Sequence, residues 1–345
     1  MRVLFASNQA AAVMRGGVLT QAVQTKNALE NLGVEVVFFD TWHEFQPDDF
    51  DLVHIFTANM ATYHLARAFK AHSLPIVISP VFFTRHSAKF ARSIIAADKF
   101  ISRFFRGFWT DYGLIAEMCH WAEALLPNTT DEARLFEEAF RIPPQKITVV
   151  PNGVEERFAQ AKPELFEREY GIKNFILNVG HIGPGRKNVL RLIEALEQIN
   201  HDAAIIGRIE DTPYGKACLE RAGRNPRLLI IDTLPHDSML LASAYSACDV
   251  FVLPSQFETP GIAALEAALA GAKIVITPFG GTKDYFGDDA VYVNPASVAD
   301  IAKGIQSAIE KEKDPGLRER IRKEFVWKKV GEKTKRVYDH VLGLD

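Results

Sequence analysis

Three observations predict an α/β protein made of two similar Rossmann-like halves. Short apolar runs alternate along the 345-residue chain with segments whose apolar residues recur at helical spacing, the pattern of a parallel sheet with crossover helices. The alternation restarts after Pro151-Asn152-Gly153-Val154, where a Pro and an Asn-Gly pair suit a change of direction. Each half also opens on a strand, a glycine-bearing loop and a helix, through Gly16-Gly17 in the first and through Gly180, Gly183 and Gly185 in the second.

In the first half, residues 3–6 read as a strand, and Leu19, Ala22, Val23 and Leu29 line one face of a helix that Gly33 ends. A strand at 34–39 completes a β-α-β unit. It lacks the dinucleotide fingerprint, because G-x-G-x-x-G is absent and only Asp40 stands near the end of the second strand. Strands at 51–56 and 75–79 with a helix at 63–71 continue the rhythm, followed by a strand at 122–128, a helix from Asp131 to Phe140 and a strand at 147–150. Asp49-Phe50-Asp51 has the D-x-D form of metal-dependent sugar transferases, but it precedes a strand, where acids commonly mark a turn, so no metal is expected. Residues 85–106 carry Arg85, Lys89, Arg92, Lys99, Arg103 and Arg106 against the single acid Asp98. Phe90, Phe100, Phe104, Phe105, Phe108 and Trp109 are mixed into or follow this stretch, a composition suited either to a helix pair with a solvated basic face or to the surface of an anionic membrane.

In the second half, strands are expected at 175–179, 203–206, 228–231, 250–253 and 274–276, with a helix at 189–199. The loop Gly180-His181-Ile182-Gly183-Pro184-Gly185-Arg186-Lys187-Asn188 sets two cations beside glycines at a helix start, which suits a diphosphate: Arg grips oxygens in a fork and Lys acts as a point charge. After the strand at 250–253, Thr259 is read as N-cap and Pro260 as the first residue of a helix running from Gly261 to Ala270, with Gly271 as C-cap. The amides of Gly261, Ile262 and Ala263 at this helix start can hold an anion. Glu258 and Glu266 bracket that position, and since a carboxylate repels phosphate, their natural partners are ribose and hexose hydroxyls. Residues 325–344 close the chain as a charged helix with Phe325, Val326, Val330, Val337 and Val341 on one face.

Composition narrows the function classes. With 48% hydrophobic and 24% charged residues the chain is of ordinary globular type, and a net charge of −3 argues against a nucleic-acid binder, which would carry a basic surplus. Cys119, Cys218 and Cys248 are odd in number and share no metal-ligand spacing, so a reducing compartment is expected. No apolar run approaches the length of a membrane span, and a cytoplasmic or membrane-peripheral protein is expected, in contact with the inner face of the membrane through 85–109.

The frame P-S-x-x-E-x-x-G-x-x-x-x-E-A-x-x-x-G, with Glu258 and Glu266 as its two acids, resembles the E-x7-E signature of family 4 retaining glycosyltransferases. The resemblance covers nearly the whole chain. It implies the GT-B architecture, two facing Rossmann-like domains with a cleft between them: an acceptor domain at 1–152 with a helix at about 325–345 packing back on it, and a nucleotide-sugar domain at 153–324. It implies that Glu266 holds ribose, that Glu258, Arg186 and Lys187 act at the reacting centre, and that Gly16, Gly17, Gly180, His181, Arg208, Gly261, Ile262 and Ala263 contribute to donor binding. Pro260 replaces the common Phe, and His181 replaces an Arg whose charge Arg186 can supply. The acceptor-side His expected after the strand at 75–79 is missing, and His86 is the nearest candidate. The implied activity is metal- and cofactor-independent transfer of a sugar from a nucleotide diphosphate sugar to a saccharide or lipid-linked hydroxyl. Two other readings stay open: an epimerase or hydrolase of the same fold, and a non-catalytic sugar-nucleotide-binding protein.

Overall fold

The structure, a computed structural model, describes residues 1–8, 13, 16–105 and 107–344. The chain divides into two compact units, Met1–Gly153 with Trp327–Asp345, and Val154–Val326.

The first unit holds five parallel strands, β1 (Arg2–Ser7), β2 (Glu35–Phe38), β3 (Leu52–Phe56), β4 (Ile76–Ser79) and β5 (Ala124–Leu125), in the order β2-β1-β3-β4-β5. Val3 pairs with Val36 on one side and Leu52 on the other. Every residue of β3 is buried, because helices cover both faces of the sheet and the strand therefore reads as a continuous apolar run instead of an alternating one. Leu4, Val53 and Ile55 enter one core and Val3, Phe5 and Leu52 the other. The second core is closed by the helices Gly17–Glu30 and Trp327–Val341, which lie against each other so closely that a side chain at Gly331 would meet the Cβ of Ala28 at 2.8 Å.

His54, at the centre of β3, ties the C-terminal helix to the sheet: its Nδ1 lies 2.5 Å from the Tyr338 hydroxyl and its Nε2 2.9 Å from Ser79 Oγ. Burial lowers its pKa to about 3, so the ring is neutral, with one nitrogen donating and the other accepting.

Three local expectations are corrected. The strand at 122–128 shrinks to Ala124–Leu125 and that at 147–150 becomes a single bridge between Leu125 and Ile147, since Pro127 has no amide to continue the ladder. Gly153 does not take the positive φ that favours glycine in a turn; a side chain there would strike the Trp327 ring at 2.7 Å, so close packing accounts for the glycine. Phe325 and Val326 do not start the last helix but pack in the core of the second unit, where Phe325 meets Tyr285 at 4.9 Å.

The second unit holds six parallel strands, β6 (Ile176–Val179), β7 (Ala203–Ile206), β8 (Leu228–Ile231), β9 (Val250–Leu253), β10 (Lys273–Ile276) and β11 (Val291–Tyr292), in the order β11-β10-β9-β6-β7-β8. The chain lays down β6, β7 and β8 outward and then returns to place β9 on the free side of β6. This reversal opens a crevice at the carboxyl ends of β6 and β9, where doubly wound sheets take their ligands. Among the described residues no helix is long and apolar enough to cross a membrane.

Candidate active site

The crevice of the second unit is assembled by backbone contacts between loops. At the end of β7, a side chain on Gly207 would sit 1.9 Å from the carbonyl oxygen of Gly180, so only glycine lets the ends of β6 and β7 approach. Beyond Gly180 the chain makes a short 3-10 turn, Gly185–Lys187, and reaches Asn188 in the left-handed region at φ 59°. The buried Asn188 amide donates to the carbonyls of Pro254 (2.9 Å) and Pro295 (2.7 Å), and Gln256 N donates to the Arg186 carbonyl at 2.8 Å. The β6 loop is thereby fastened to the β9 loop.

This fastening brings three expected site residues together. Lys187 Nζ lies 2.6 Å from Glu258 Oε1; the Arg186 guanidinium lies 3.5 Å from the same oxygen, donates to the Phe257 carbonyl at 3.0 Å and covers the Phe257 ring. Glu258 is only 6% exposed, and burial by itself would raise its pKa. The Lys187 and Arg186 charges outweigh burial and hold it below the ordinary carboxylate range, so the acid is ionised and the cations are pre-placed. The Glu258 backbone is fixed by Phe279 and Gly281, and Gly280, at φ 100°, would place any Cβ 2.0 Å from the Glu258 carbonyl oxygen.

The helix after β9 runs over Ile262–Ala270, and its start corrects the sequence reading. The N-cap is Gly261, in the left-handed region at φ 83°, not Thr259, and Pro260 precedes the helix after a cis peptide bond. Ile262 and Ala263 therefore supply first-turn amides, which an α-helix leaves without internal acceptors, while Gly261 takes the cap. Gly271 closes the helix in the left-handed conformation.

Glu266 lies inside this helix and is 4% exposed. Its Oε1 is 2.7 Å from His236 Nε2, and its Oε2 accepts from the Tyr245 hydroxyl at 2.7 Å. The Glu266 hydrogen bond, opposed by burial, leaves the His236 pKa raised, and burial keeps the Tyr245 phenol protonated. Sequence reading missed His236 and Tyr245, which lie 30 and 21 positions before Glu266 with no shared motif. The available signal was positional: Pro235-His236 follows the end of β8, on the edge of the sheet whose carboxyl ends form the site.

The remaining expected residues spread further. His181 is half exposed with Nδ1 3.7 Å from Glu210 Oε1, and the exposed Arg208 follows β7, its carbonyl accepting from Ile182 N at 2.8 Å. Gly16 and Gly17, at the start of Gly17–Glu30, belong to the first unit; neither has a positive φ, and added side chains would meet no atom within 4 Å. His86, also in the first unit, is exposed with Nδ1 3.0 Å from the Tyr112 hydroxyl. Asp51 accepts from the Arg2 amide at 2.6 Å, and Asp49 lies 4.0 Å from the Arg2 guanidinium. In the basic stretch Asp98 is buried and bonded to Thr110, and Arg92 is committed to the Glu138 carbonyl; Arg106 lies outside the described residues.

Comparison with known proteins places this geometry. The description "Glycosyl transferases group 1" matches residues 164–325, and "Glycosyltransferase Family 4" matches residues 39–158. D-inositol 3-phosphate glycosyltransferase of Geodermatophilus obscurus is 32% identical over 206 residues, 54% of this chain and 46% of the relative. The lipopolysaccharide glucosyltransferase WaaG of Escherichia coli is 28% identical over 177 residues, 48% of this chain and 46% of the relative. The chain thus spans about half the length of these curated relatives. Among solved structures, sucrose-phosphate synthase from Thermosynechococcus elongatus superimposes with a TM-score of 0.75 at 16% identity, covering 100% of both chains. Anabaena HepE in complex with UDP does so with 0.74 at 16%, covering 99% of this chain and 100% of that one. The fold is that of the GT-B glycosyltransferases, and with its two matched segments the chain belongs to the family 4 glycosyltransferases.

Proposed function

We propose that the protein transfers a sugar from a nucleoside diphosphate sugar to an acceptor hydroxyl with retention of anomeric configuration and without a metal. The observation that carries this reading is the convergence of Lys187, Arg186 and Glu258 with the start of the Ile262–Ala270 helix at the β6/β9 crevice. When a diphosphate leaves the anomeric carbon, Lys187, Arg186 and the Ile262 and Ala263 amides meet the growing negative charge, and their prior placement by Glu258 spares reorganisation at that moment. Glu258 then faces the donor sugar, Glu266 the ribose, and Gly180, His181 and Arg208 the rest of the nucleotide. The solved structure of Anabaena HepE in complex with UDP and glucose supports a nucleotide sugar as donor here.

The second unit is the donor domain in this reading and the first unit the acceptor domain, in which Gly16, Gly17 and His86 are the candidate ligand contacts. The acceptor is a lipid-linked or membrane-surface saccharide, and the protein works at the inner face of the membrane. Exposure supports that choice over a buried helix pair: Phe100, Phe104, Phe105 and Trp109 are 62%, 69%, 67% and 55% exposed, and Lys89, Lys99 and Arg103 are exposed among them.

A thermal-shift panel of UDP-, GDP- and ADP-sugars tests the donor reading. One base is expected to stabilise by about 2.7 kcal/mol at a hundred times its dissociation constant, and no response to any of them overturns it. Co-sedimentation with anionic vesicles at low salt, compared with a variant carrying Lys89→Ser, Lys99→Ser and Arg103→Ser, tests the membrane contact; a parent left in the supernatant points to a soluble acceptor.

A further inference from the structure

We infer that His236 and Tyr245 are positioning residues that leave Glu266 one open lone pair on each carboxylate oxygen, making the site selective for a vicinal diol over a single hydroxyl. The inference rests on the proposal that Glu266 receives the donor ribose. An ionised carboxylate offers about four acceptor sites, two on each oxygen. Here the protein takes one of each pair, Oε1 through His236 and Oε2 through Tyr245, both at 2.7 Å. What remains is a matched pair of sites on adjacent oxygens of a nearly buried acid. A ribose 2′,3′-diol satisfies both, whereas a nucleotide lacking these hydroxyls leaves a desolvated carboxylate short of donors.

Both positioning groups are held by their own surroundings. The fully buried Tyr245 ring packs edge-on against Phe158 at 5.5 Å and beside Phe251 at 5.9 Å, which aims its hydroxyl at Glu266. His236 sets its ring edge against Phe158 at 5.9 Å, and its backbone carbonyl accepts from Arg157. Its other nitrogen, Nδ1, lies 3.4 Å from Glu155 Oε1, an ion-pair distance at an angle that makes no hydrogen bond, and Arg157 Nε lies 3.4 Å from the other Glu155 oxygen. Two carboxylates, one at each ring nitrogen, favour an imidazolium that donates at Nε2, against burial and the Arg157 charge. With both ring nitrogens protonated, Nε2 donates to Oε1, and Glu266 cannot rotate without losing one partner or the other.

The test is calorimetric binding of UDP, GDP and ADP, each beside its 2′,3′-dideoxy counterpart, to the parent and to His236→Ala, His236→Gln and Tyr245→Phe. The parent is expected to prefer the ribonucleotide of its own base by about tenfold or more. His236→Ala and Tyr245→Phe should each cut that preference to about threefold or less, while affinity for the dideoxy form stays within about twofold. His236→Gln, whose amide can still donate to Oε1, should restore most of the preference, an outcome that a purely structural role would not produce. An unchanged preference in Tyr245→Phe and His236→Ala overturns the inference while leaving the donor reading intact. A parent that binds a nucleotide without any preference overturns the assignment of Glu266 to ribose, and a parent that binds none of the three overturns the donor reading itself. Should His236→Ala melt below the assay temperature, Tyr245→Phe alone decides.

Discussion

The two sheets reverse direction in the same way, at β1/β3 in the first unit and β6/β9 in the second, yet the buried polar groups near the two crevices do different work. In the first unit Glu132 spends its oxygens on backbone, accepting from Phe82 N and Asn128 N at 2.7 Å each, and His54 spends its nitrogens on Ser79 and Tyr338. These groups fasten loops and a helix. In the second unit the buried acids meet side chains instead: Glu258 faces Lys187 and Arg186, and Glu266 faces His236 and Tyr245. The side-chain partners of these two acids can exchange with a ligand at little cost to the fold, whereas the backbone partners of Glu132 cannot. The glycines also divide, though not between the units. Gly207 and Gly280 of the second unit, like Gly153 and Gly331 of the first, are demanded by close packing, whereas Gly16 and Gly17 meet nothing described around them. One topology therefore carries two chemistries, and the chemistry has to be read from the site.

The largest expected effect breaks the comparison on the side of the first unit. The folded pKa of His54, about 3, lies below the unfolded value near 6.5, so between them the unfolded chain binds the extra proton. Stability is thus full above about pH 6.5 and falls as the pH drops towards 3, by up to about 5 kcal/mol from this group. Burial raises the pKa of Glu132 to about 7, so its contribution runs the other way, present below about pH 4.5 and lost as the pH rises through 7. Urea unfolding of the parent and His54→Gln at a series of pH values isolates the histidine, because Glu132 is common to both. The gap between the two should narrow in acid; parallel curves would show that the His54 ring is not held neutral.

In the second unit, Lys187→Ala is expected to lower kcat about 10²–10³-fold, the worth of one preorganised charge at a developing anion. The loss should fall on nucleoside diphosphate binding and turnover and spare the bare nucleoside. An equal loss for both ligands would mean that Lys187 serves mainly to neutralise Glu258, which would make the second unit resemble the first.

The smallest effect sharpens the point about glycines. Gly17→Ala should leave stability unchanged or raise it by up to about 1 kcal/mol, since the added methyl meets nothing and the position is helical. A raised KM for the donor with an unchanged melting temperature would assign the glycine to a ligand; no change in either would leave it a tolerated surface residue.

Much of this molecule was legible from local pattern. The strands at 203–206, 228–231 and 250–253 have the expected bounds, because short apolar runs between helical segments depend only on neighbours along the chain. The two acids eight positions apart and the Arg186-Lys187 pair likewise stand out, being types with strong chemistry in short, regular spacing. Tertiary structure alone decided what each acid meets: Lys187 reaches Glu258 across 71 positions and His236 reaches Glu266 across 30. It also moved the helix cap from Thr259 to Gly261 and turned Gly153 from a turn residue into a packing contact for Trp327. Periodicity and capping preferences are set within a few residues, so the sequence by itself determined the two α/β halves and the candidate charges. The pairing of those charges depends on which loops the sheet order brings side by side, and no local spacing encodes that order.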